Sequence, residues 1–495
     1  MLGKFKQYIR EQIYWLTVDP EKIRENNPLV KVIDDYVEEH ISNDIFVAKL
    51  HNQFTGSKAI NPKMMLKVLF YCFASGIYTS RSIEKRMAND LNTIYLSGNT
   101  VIDHSNICRF INKYQDEIMS IFSKMVYILG KSGFISYELE AIDGTKIRAS
   151  ANKRFTGNAK EFRNKKKKIE EKILKILQET TNSNTDEQYS KRVLNKLKDF
   201  EQQKSEIDKF LNSVENGDID ENESVNLTDK DAKLMKMNDG SISTGYNCQA
   251  AVDSKNEFIA GAFVTDRAND RQNTIPMIEE VKRHQGEPNE NTKFTLDAGY
   301  FTSDNIQYGK NIDLYIPEGK EEDGSLKRIT RKDRVISKDC ELIIEDDLRK
   351  IKCPGGQIIS STGRFYNNHG DKSYRFNPNK DYCRNCNLIS SCADKRGNIS
   401  KKRFDVNYKY FETVELRREM LEKLKSVEGK RTYNERACLI EHVFGTIKEY
   451  YRFGRFYYRG LDKVNTIWHM VCIAYNFRKM ASIGINLLQK SSLPV

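Results

Sequence analysis

Near residue 136 the hydrophobic pattern of the chain changes from a helical period to the two-residue alternation of a β-strand. The segment "SYELEAIDGTKIRASANK" places Leu139, Ala141 and Asp143 on one face. Further on come a hairpin pattern in "TGYNCQAAVDSKNEFIAGAFVTD", a helix, a buried strand ending in "TLDAGY", a second helix and the strand "IDLYIPEG". This order predicts an α/β fold built on a mixed sheet.

Residues 1–132 carry helical spacing and are predicted to form an all-α N-terminal domain. Short helices joined by turns resemble a helix-turn-helix arrangement, and they carry Arg81, Lys85, Arg86, Arg109 and Lys113. The net charge of +12 and the isoelectric point of about 8.9 favour an anionic partner such as nucleic acid. We expect Arg81 and Arg86 to contact DNA; a plain helical bundle is the alternative.

Two insertions are predicted to interrupt the sheet domain. Its parts are a first sheet portion over 133–318 with a Lys-rich helical insertion at 158–215, a Cys-rich insertion at 319–408, a helical portion at 409–485 and a tail at 486–495. The Lys-rich insertion reads as a helical hairpin split by "TNSNTDEQ". Its lysines are either a DNA-contacting arm or a solvated face, and the sequence does not decide between them.

The cysteines of the second insertion have the spacing C-x₂₉-C-x₂-C-x₅-C, from Cys353 through Cys383 and Cys386 to Cys392. Turn-forming "CPGG" and "CRNC" can bring four thiolates around one ion, which predicts a structural Zn²⁺. Cys340 is a substitute ligand, and a set of free or redox-labile thiols is the alternative. No signal peptide or membrane-length apolar run is predicted, so we expect a reducing cytoplasm and no membrane partner.

Three carboxylates occupy positions suited to metal-dependent chemistry. Asp143 lies inside the first strand, Asp297 ends a later strand before a glycine, and Glu441 lies on a C-terminal helix. Mg²⁺ takes hard oxygen ligands together with substrate phosphate. Two such ions about 3.5–4 Å apart activate the attacking oxygen and stabilise the leaving oxygen in phosphoryl transfer.

With these residues the chain resembles the bacterial insertion-sequence transposases of the Asp-Asp-Glu (DDE) type, whose core has the RNase H-like fold. The resemblance runs from about residue 59 to 483 and rests on five segments: "PKMMLKVLFYCFASGIYTSRSIEKR" with "DHSNICRF", "AIDGTKIRASANK", "DAKLMKMNDGSISTGYNCQAAVDSKN", "LDAGYFTSDNI" and "YNERACLIEHVFGTIK". It implies that Asp143, Asp297 and Glu441 are catalytic ligands of two Mg²⁺ ions, or of Mn²⁺ in their place.

The last segment resembles the family's signature helix with Tyr, Arg, Glu and Lys. The resemblance implies DNA contacts for Tyr433, Arg436 and Lys448, although four residues separate Arg436 from Glu441 where the best-known form has three. That spacing puts Arg436 off the Glu441 face of the helix. Further candidates for DNA contact are Lys146 after the first aspartate and Arg452 and Arg455 in "YYRFGRFYYR", where aromatic packing is the alternative. Lower-ranked polar candidates are Asn247, Gln249, Asn269 and Asp270.

The resemblance implies a cytoplasmic, nucleoid-associated bacterial transposase. It would bind the terminal inverted repeats of its own element, cut at the ends and join the 3′-hydroxyl to target DNA. Synapsis of two ends implies a homodimer or larger assembly on double-stranded DNA. Two alternatives stay open, a metal-dependent DNA endonuclease without strand transfer and a non-catalytic DNA-binding descendant. The repeat sequence, the target preference and the way in which the second strand is cut are not readable from the chain.

Overall fold

The computed structural model describes residues 19–47, 49, 59–181, 187–318, 340–345, 348–368, 371–392, 398–400 and 402–485. The predicted tail at 486–495 lies outside these residues. The chain divides into two compact units. The first contains the described residues up to Phe122, Tyr451–Phe453 and the residues from Thr466 onward, and the second contains Ser123–Tyr450 and Gly454–Asn465. None of the described helices combines the length and apolar character needed to cross a membrane.

The first unit is helical up to Phe122 in its described residues. Its helices are α1 (Pro20–Asn26), α2 (Pro28–His40), α3 (Asp44–Val47), α4 (Pro62–Ala74), α5 (Ser80–Asn89), α6 (Leu91–Ser97), α7 (His104–Lys113) and α8 (Gln115–Lys131), the last of which continues into the second unit. Side-chain oxygens of Asn27, Asn61, Asp90 and Asp103 accept the first free N–H groups of α2, α4, α6 and α7. These caps explain why each helix begins where it does. That this region binds DNA as a helix-turn-helix stays a prediction.

A mixed sheet forms the centre of the second unit. Its strands are β1 (Leu139–Arg148), β4 (Lys233–Lys236), β5 (Ile242–Asp253), β6 (Ile259–Thr265), β7 (Lys293–Thr295) and β8 (Asp313–Tyr315), and the short strands β2 (Thr156–Gly157) and β3 (Val225–Asn226) pair separately. The order is β4–β5–β1–β7–β8, with β6 also paired to β5. β5 runs antiparallel to β1 and β6, whereas β7 runs parallel to β1 and β8. The predicted mixed sheet and its β5–β6 hairpin are therefore confirmed.

Helices α11 (Thr274–Gln285) and α12 (Ser303–Tyr308) connect these strands as predicted. The apolar side of α11 contributes Met277, Ile278 and Val281 to a core that also contains Ile142 of β1 and Phe294 of β7. This core holds β1 and β7 against one another. The chain segments that carry Asp143 and Asp297 therefore adjoin this buried core.

The Lys-rich insertion consists of α9 (Ala159–Thr181) and α10 (Glu187–Glu215), and residues 182–186 between them lie outside the described residues. Lys166 pairs with Asp208 at 2.6 Å and Lys204 pairs with Glu170 at 2.8 Å. Residues late in one helix thus face residues early in the other, so the two helices run antiparallel. The two predicted helices are confirmed.

The Cys-rich insertion contains a second sheet that was not predicted. Its strands are β9 (Glu341–Glu345), β10 (Leu348–Lys352), β11 (Ile358–Asn368), β12 (Asp371–Phe376) and β13 (Phe404–Asn407), paired in the order β13–β12–β11–β10–β9. The short helices α13 (Lys380–Arg384) and α14 (Ile389–Cys392) lie between β12 and β13. The prediction located the cysteines but missed the sheet that supports them.

The chain then returns to helices. They are α15 (Tyr408–Glu412), α16 (Val414–Lys425), α17 (Val427–Gly445) and α18 (Leu461–Ser482), and a π-helical turn at Thr446–Tyr450 extends α17. Within the helical portion predicted at 409–485, α15 and α16 are separate helices, and α17 ends in the wider π turn. Single π turns inside helices occur frequently at functional sites. Here the turn contains Lys448.

Candidate active site

Asp143 lies on β1, and Asp297 lies just beyond the end of β7, the strand that runs parallel beside β1. β1 and β7 are in register at Ala141 and Thr295, so continuing both strands by two residues brings Asp143 and Asp297 opposite one another. Asp297 lies two residues beyond the end of β7 and caps a 3₁₀ turn, where its side chain accepts the N–H of Gly299 at 2.7 Å. The sheet therefore holds two carboxylates side by side, as the sequence pattern predicts.

An arginine of α17 neutralises the first of these carboxylates. Arg436 Nη2 donates to Asp143 Oδ2 at 2.7 Å, and Arg436 is only 7% exposed. Burial raises the pKa of Asp143 to about 6, and Asp297 and Asp270 also raise it, while Arg436 and the Gly144 N–H lower it. The pairing joins residues 293 positions apart and was not predicted, whereas a DNA contact for Arg436 stays a prediction.

Glu441 lies on the same helix but on its exposed side. Its side chain forms no hydrogen bond or ion pair among the described residues. No group of three or more His, Cys, Asp or Glu side chains stands in a metal-binding arrangement in the part of the chain that the structure describes. Asp143 and Asp297 are thus brought together, and Glu441 lies free on the helix that packs against β1.

Two further residues of the predicted signature lie close to the aspartates. Lys448 is half-buried, and burial lowers its pKa while Cys248 and Asp143 act in the opposite direction. Tyr433 is also half-buried; burial raises its pKa, and Arg436, Asp297 and Asp143 are its charged neighbours. Tyr433, Arg436 and Lys448 therefore all lie near Asp143.

The remaining cationic candidates have different surroundings. Lys146 Nζ donates to Asp270 Oδ2 at 3.0 Å, close to the aspartates. Arg455 is exposed and its backbone bridges to Arg148 at the end of β1. DNA contacts for Lys146 and Arg455 stay predictions.

In the first unit, Arg452 is exposed with a left-handed φ of 57°. Arg81 is exposed on α5, while Arg86 Nη2 pairs with Asp90 at 2.7 Å. An ion pair of this kind reduces the charge that Arg86 offers to a phosphate. The roles of these arginines stay predictions.

The four cysteines of the predicted zinc site line one small cavity. Cys353, Cys383, Cys386 and Cys392 surround a space of about 20 Å³ together with Tyr382 and Phe404. A Cβ added to Gly355 would lie 2.6 Å from Cys386 Sγ and 3.7 Å from Cys353 Sγ, so the glycine lets two thiols approach the turn. Burial raises the pKa of Cys383, and so do the other three thiols. Cys340 lies in the apolar core of the small sheet.

Comparison with known protein families gives two matches. Residues 352–481 match a transposase DDE domain, and residues 18–113 match a family described as a transposase domain. The first match covers the cysteines, α17 and most of α18, and it begins after Asp143 and Asp297 in the chain. A search of curated proteins gave no match.

The mixed sheet and the two matches define a transposase, which is a protein that acts on DNA. Within that class, the chain belongs to the insertion-sequence transposases of the DDE type. Its mixed-sheet domain is accordingly an RNase H-like core that carries insertions, and helices precede it.

Proposed function

We propose that this transposase binds the terminal inverted repeats of its insertion sequence, cuts at their ends and joins the freed 3′-hydroxyl to target DNA. The observation that carries the proposal is the register of β1 and β7, which sets Asp143 opposite Asp297 beside the helix that bears Glu441. Synapsis of two ends calls for a homodimer or a larger assembly on DNA.

The proposed ligands are carboxylates, which are the hard oxygen donors that divalent ions such as Mg²⁺ take. Burial raises the pKa of Asp143 and the charge of Asp297 raises it further, so a bound cation would favour the ionised carboxylates. Asp143, Asp297 and Glu441 would hold Mg²⁺ or Mn²⁺, which when bound activates the attacking oxygen and stabilises the leaving oxygen. Glu441 has no competing partner among the described residues, so its carboxylate is available for this role.

The protein's own groups orient the reactants around these ligands. Arg436 holds one oxygen of Asp143, which fixes the orientation of that carboxylate. Lys448 is half-buried near Asp143, where its charge is poorly screened and suits a phosphate of the DNA end. Tyr433 and Arg455 would contact the same DNA, and Arg452, Arg81 and Arg86 would contribute contacts from the first unit.

The test is cleavage of a duplex that carries the element's own end, in the presence of Mg²⁺, by the wild type and by Glu441→Gln. The substitution preserves size and removes one metal-ligand charge, so we expect the variant to bind the end and to cut more than about 100-fold slower. Glu435→Gln is the matched control because Glu435 lies on the same helix, is exposed and pairs only with Arg431 at 3.4 Å among the described residues.

The outcomes separate the proposal from its alternatives. Cutting by Glu441→Gln at the wild-type rate would reject Glu441 as the third ligand. Cutting without joining of a labelled end to target DNA would favour an endonuclease. Binding without cutting by the wild type would favour a non-catalytic DNA-binding descendant.

We also propose that Cys353, Cys383, Cys386 and Cys392 bind one structural Zn²⁺. The cavity they line has room for about a single ion, and four thiolates are a complete tetrahedral ligand set. Burial raises the pKa of Cys383, and repulsion from the other three thiolates raises it further; a zinc ion would remove that repulsion.

Zinc content of the purified protein tests this site. We expect about one zinc per chain in the wild type and none in Cys386→Ser, with loss of thermal stability. Cys438→Ser is the control, because Cys438 is exposed on α17 away from the cavity lining. Equal zinc in both variants would contradict the assignment.

A further inference from the structure

Asp270, another carboxylate of the sheet domain, lies beside the aspartate pair, and both of its oxygens accept hydrogen bonds. Asp270 Oδ1 accepts Asn247 Nδ2 at 2.6 Å and Gln249 Nε2 at 2.8 Å, while its Oδ2 accepts Lys146 Nζ at 3.0 Å. Asn247 and Gln249 are completely buried on β5. Because its donors are already inside the protein, Asp270 serves to fasten its own segment to the sheet.

The side chains of Asp270, Asn247 and Gln249 pack against the backbone of Gly144, the residue after Asp143. A Cβ at Gly144 would lie 2.2 Å from Gln249 Nε2, 2.6 Å from Asp270 Oδ1 and 2.8 Å from Asn247 Oδ1. Only a glycine leaves room for this cluster. Gly144 directly follows Asp143, so the segment that carries Asp270 is packed against the active-site strand.

That segment is the loop 266–273 between β6 and α11, and buried amides hold it at two further points. Asn247 Nδ2 donates to the carbonyl of Arg267 at 3.2 Å. Asn305 Nδ2, which is 2% exposed, donates to the carbonyl of Arg271 at 2.9 Å. Loops are usually mobile, and buried amides are costly unless paired. Three buried amide side chains here fix one loop in position.

The loop is also tied to the segment that follows Asp297. Tyr300 O–H donates to Gln249 Oε1 at 2.6 Å, and Asn305 Nδ2 donates to the carbonyl of Tyr300 at 2.7 Å. Tyr300 closes the 3₁₀ turn that Asp297 begins. The loop is therefore fixed relative to both aspartates.

The fixed loop presents two cations. Arg267 and Arg271 are exposed, and neither forms an ion pair among the described residues. By contrast, Lys146 is paired with Asp270 and Arg436 with Asp143. The two loop arginines are thus open to an anionic ligand next to a site whose substrate is a polyanion.

We propose that loop 266–273 is a phosphate clamp, in which Arg267 and Arg271 bind backbone phosphates of the DNA strand that enters the aspartate site. Arginine suits this task because its guanidinium donates two parallel hydrogen bonds to a phosphate. The pinned backbone sets where those phosphates lie relative to Asp143 and Asp297. The clamp rests on the proposed function, since it assumes that DNA is the substrate of this site.

The test measures affinity for a duplex carrying the element's end as a function of salt, with Ca²⁺ in place of Mg²⁺ to prevent cutting. Each phosphate contact contributes about 0.9 to the slope of log affinity against log salt. We expect Arg267→Gln and Arg271→Gln each to lower that slope by about 0.9 and the double variant by about 1.8, with affinity roughly fivefold to tenfold weaker per arginine near 0.1 M salt. Arg271→Lys keeps the charge and is expected to restore the slope.

Arg283→Gln is the matched control, because Arg283 lies in the last turn of α11 and its charge is already paired with Glu280. Asn305→Ala tests the fastening and is expected to lower the slope less than Arg271→Gln. If both loop variants show the wild-type salt slope, the clamp is wrong, even if these variants no longer cut DNA. The proposed function would still stand in that case, provided that the wild type cuts. Failure of the wild type to bind any DNA would instead reject the proposed function.

Discussion

The two sheets of the second unit bury different kinds of side chain. The small sheet of the Cys-rich insertion packs an apolar core that includes Ile351, Phe376 and Phe411. The central sheet places Glu140 and Asp253 at zero exposure within its strands. Burying polar groups costs free energy unless each is paired. Asp253 accepts hydrogen bonds from the N–H groups of Ser136 and Tyr137, whereas Glu140 has no hydrogen-bond partner among the described residues, so the central sheet carries this cost at Glu140.

This difference indicates that the central sheet positions active-site residues, whereas the small sheet contributes to stability alone. Where Asp143, Gln249 and Tyr300 meet, buried polar groups fix carboxylates and a loop in place. In the small sheet the corresponding interior is filled by rings, such as the stacked pair Phe376 and Phe411 with centroids 5.9 Å apart. We therefore expect substitutions in the small sheet to change stability. Substitutions in the central sheet should change both stability and activity, and the two effects should differ from one variant to another.

The largest effect is expected in the small sheet, from Phe376→Ala. Phe376 is completely buried, and removal of such a ring should cost about 3–5 kcal/mol of unfolding free energy through lost transfer energy and the cavity left behind. Chemical denaturation of the full chain measures it. Phe365→Ala is the control because Phe365 is 50% exposed. Equal losses in the two variants would show that the small sheet has no defined core.

A change of intermediate size is expected from Glu140→Gln in the central sheet. Burial raises the pKa of Glu140, with a further contribution from Asp253, and neither Glu140 oxygen has a hydrogen-bond partner among the described residues. The pKa of Glu140 is higher in the folded state than in the unfolded state. The stability that protonated Glu140 contributes is therefore fully present at acid pH and is lost as the pH rises through the folded-state pKa. The variant removes that loss.

We expect Glu140→Gln to be close to neutral below about pH 4 and increasingly stabilising above it, by up to about 1.4 kcal/mol per pH unit. Melting temperature against pH measures the effect. The control is Glu138→Gln, two residues away and exposed. Parallel curves for wild type and Glu140→Gln would contradict a protonated buried glutamic acid.

The sequence predicted what local pattern determines. Alternation identified the strand of Asp143, and a buried run followed by a glycine located Asp297, because both signals arise from burial on one sheet face. The pairing of Arg436 with Asp143 has no local signal, since it depends on how α17 packs on β1. The π turn around Lys448 likewise lies within an ordinary helical pattern.

The small sheet escaped prediction for a related reason. β11 contains Ser360, Ser361 and Gly363 and shows a register irregularity between Ser361 and Phe365, which obscures its two-residue period. Its strands are specified by non-local partners in a shared core. The cysteines could be located because ligand spacing is a local feature, whereas the sheet that gathers them is not.

The smallest effect is expected from Tyr300→Phe, which tests directly whether the buried polar groups of the central sheet position the carboxylates. The change removes the hydrogen bond from the Tyr300 hydroxyl to Gln249, and the loss of one such bond costs about 0.5–1.5 kcal/mol of unfolding free energy. Since Tyr300 closes the turn that begins at Asp297, we also expect a higher Mg²⁺ concentration for half-maximal cutting, with DNA affinity unchanged. Tyr36→Phe in the first unit is the control, because the Tyr36 hydroxyl is buried without a hydrogen-bond partner among the described residues, and its loss should be neutral or stabilising. If Tyr300→Phe lowers stability but leaves the Mg²⁺ dependence of cutting unchanged, the buried polar groups of the central sheet stabilise the fold without positioning the carboxylates.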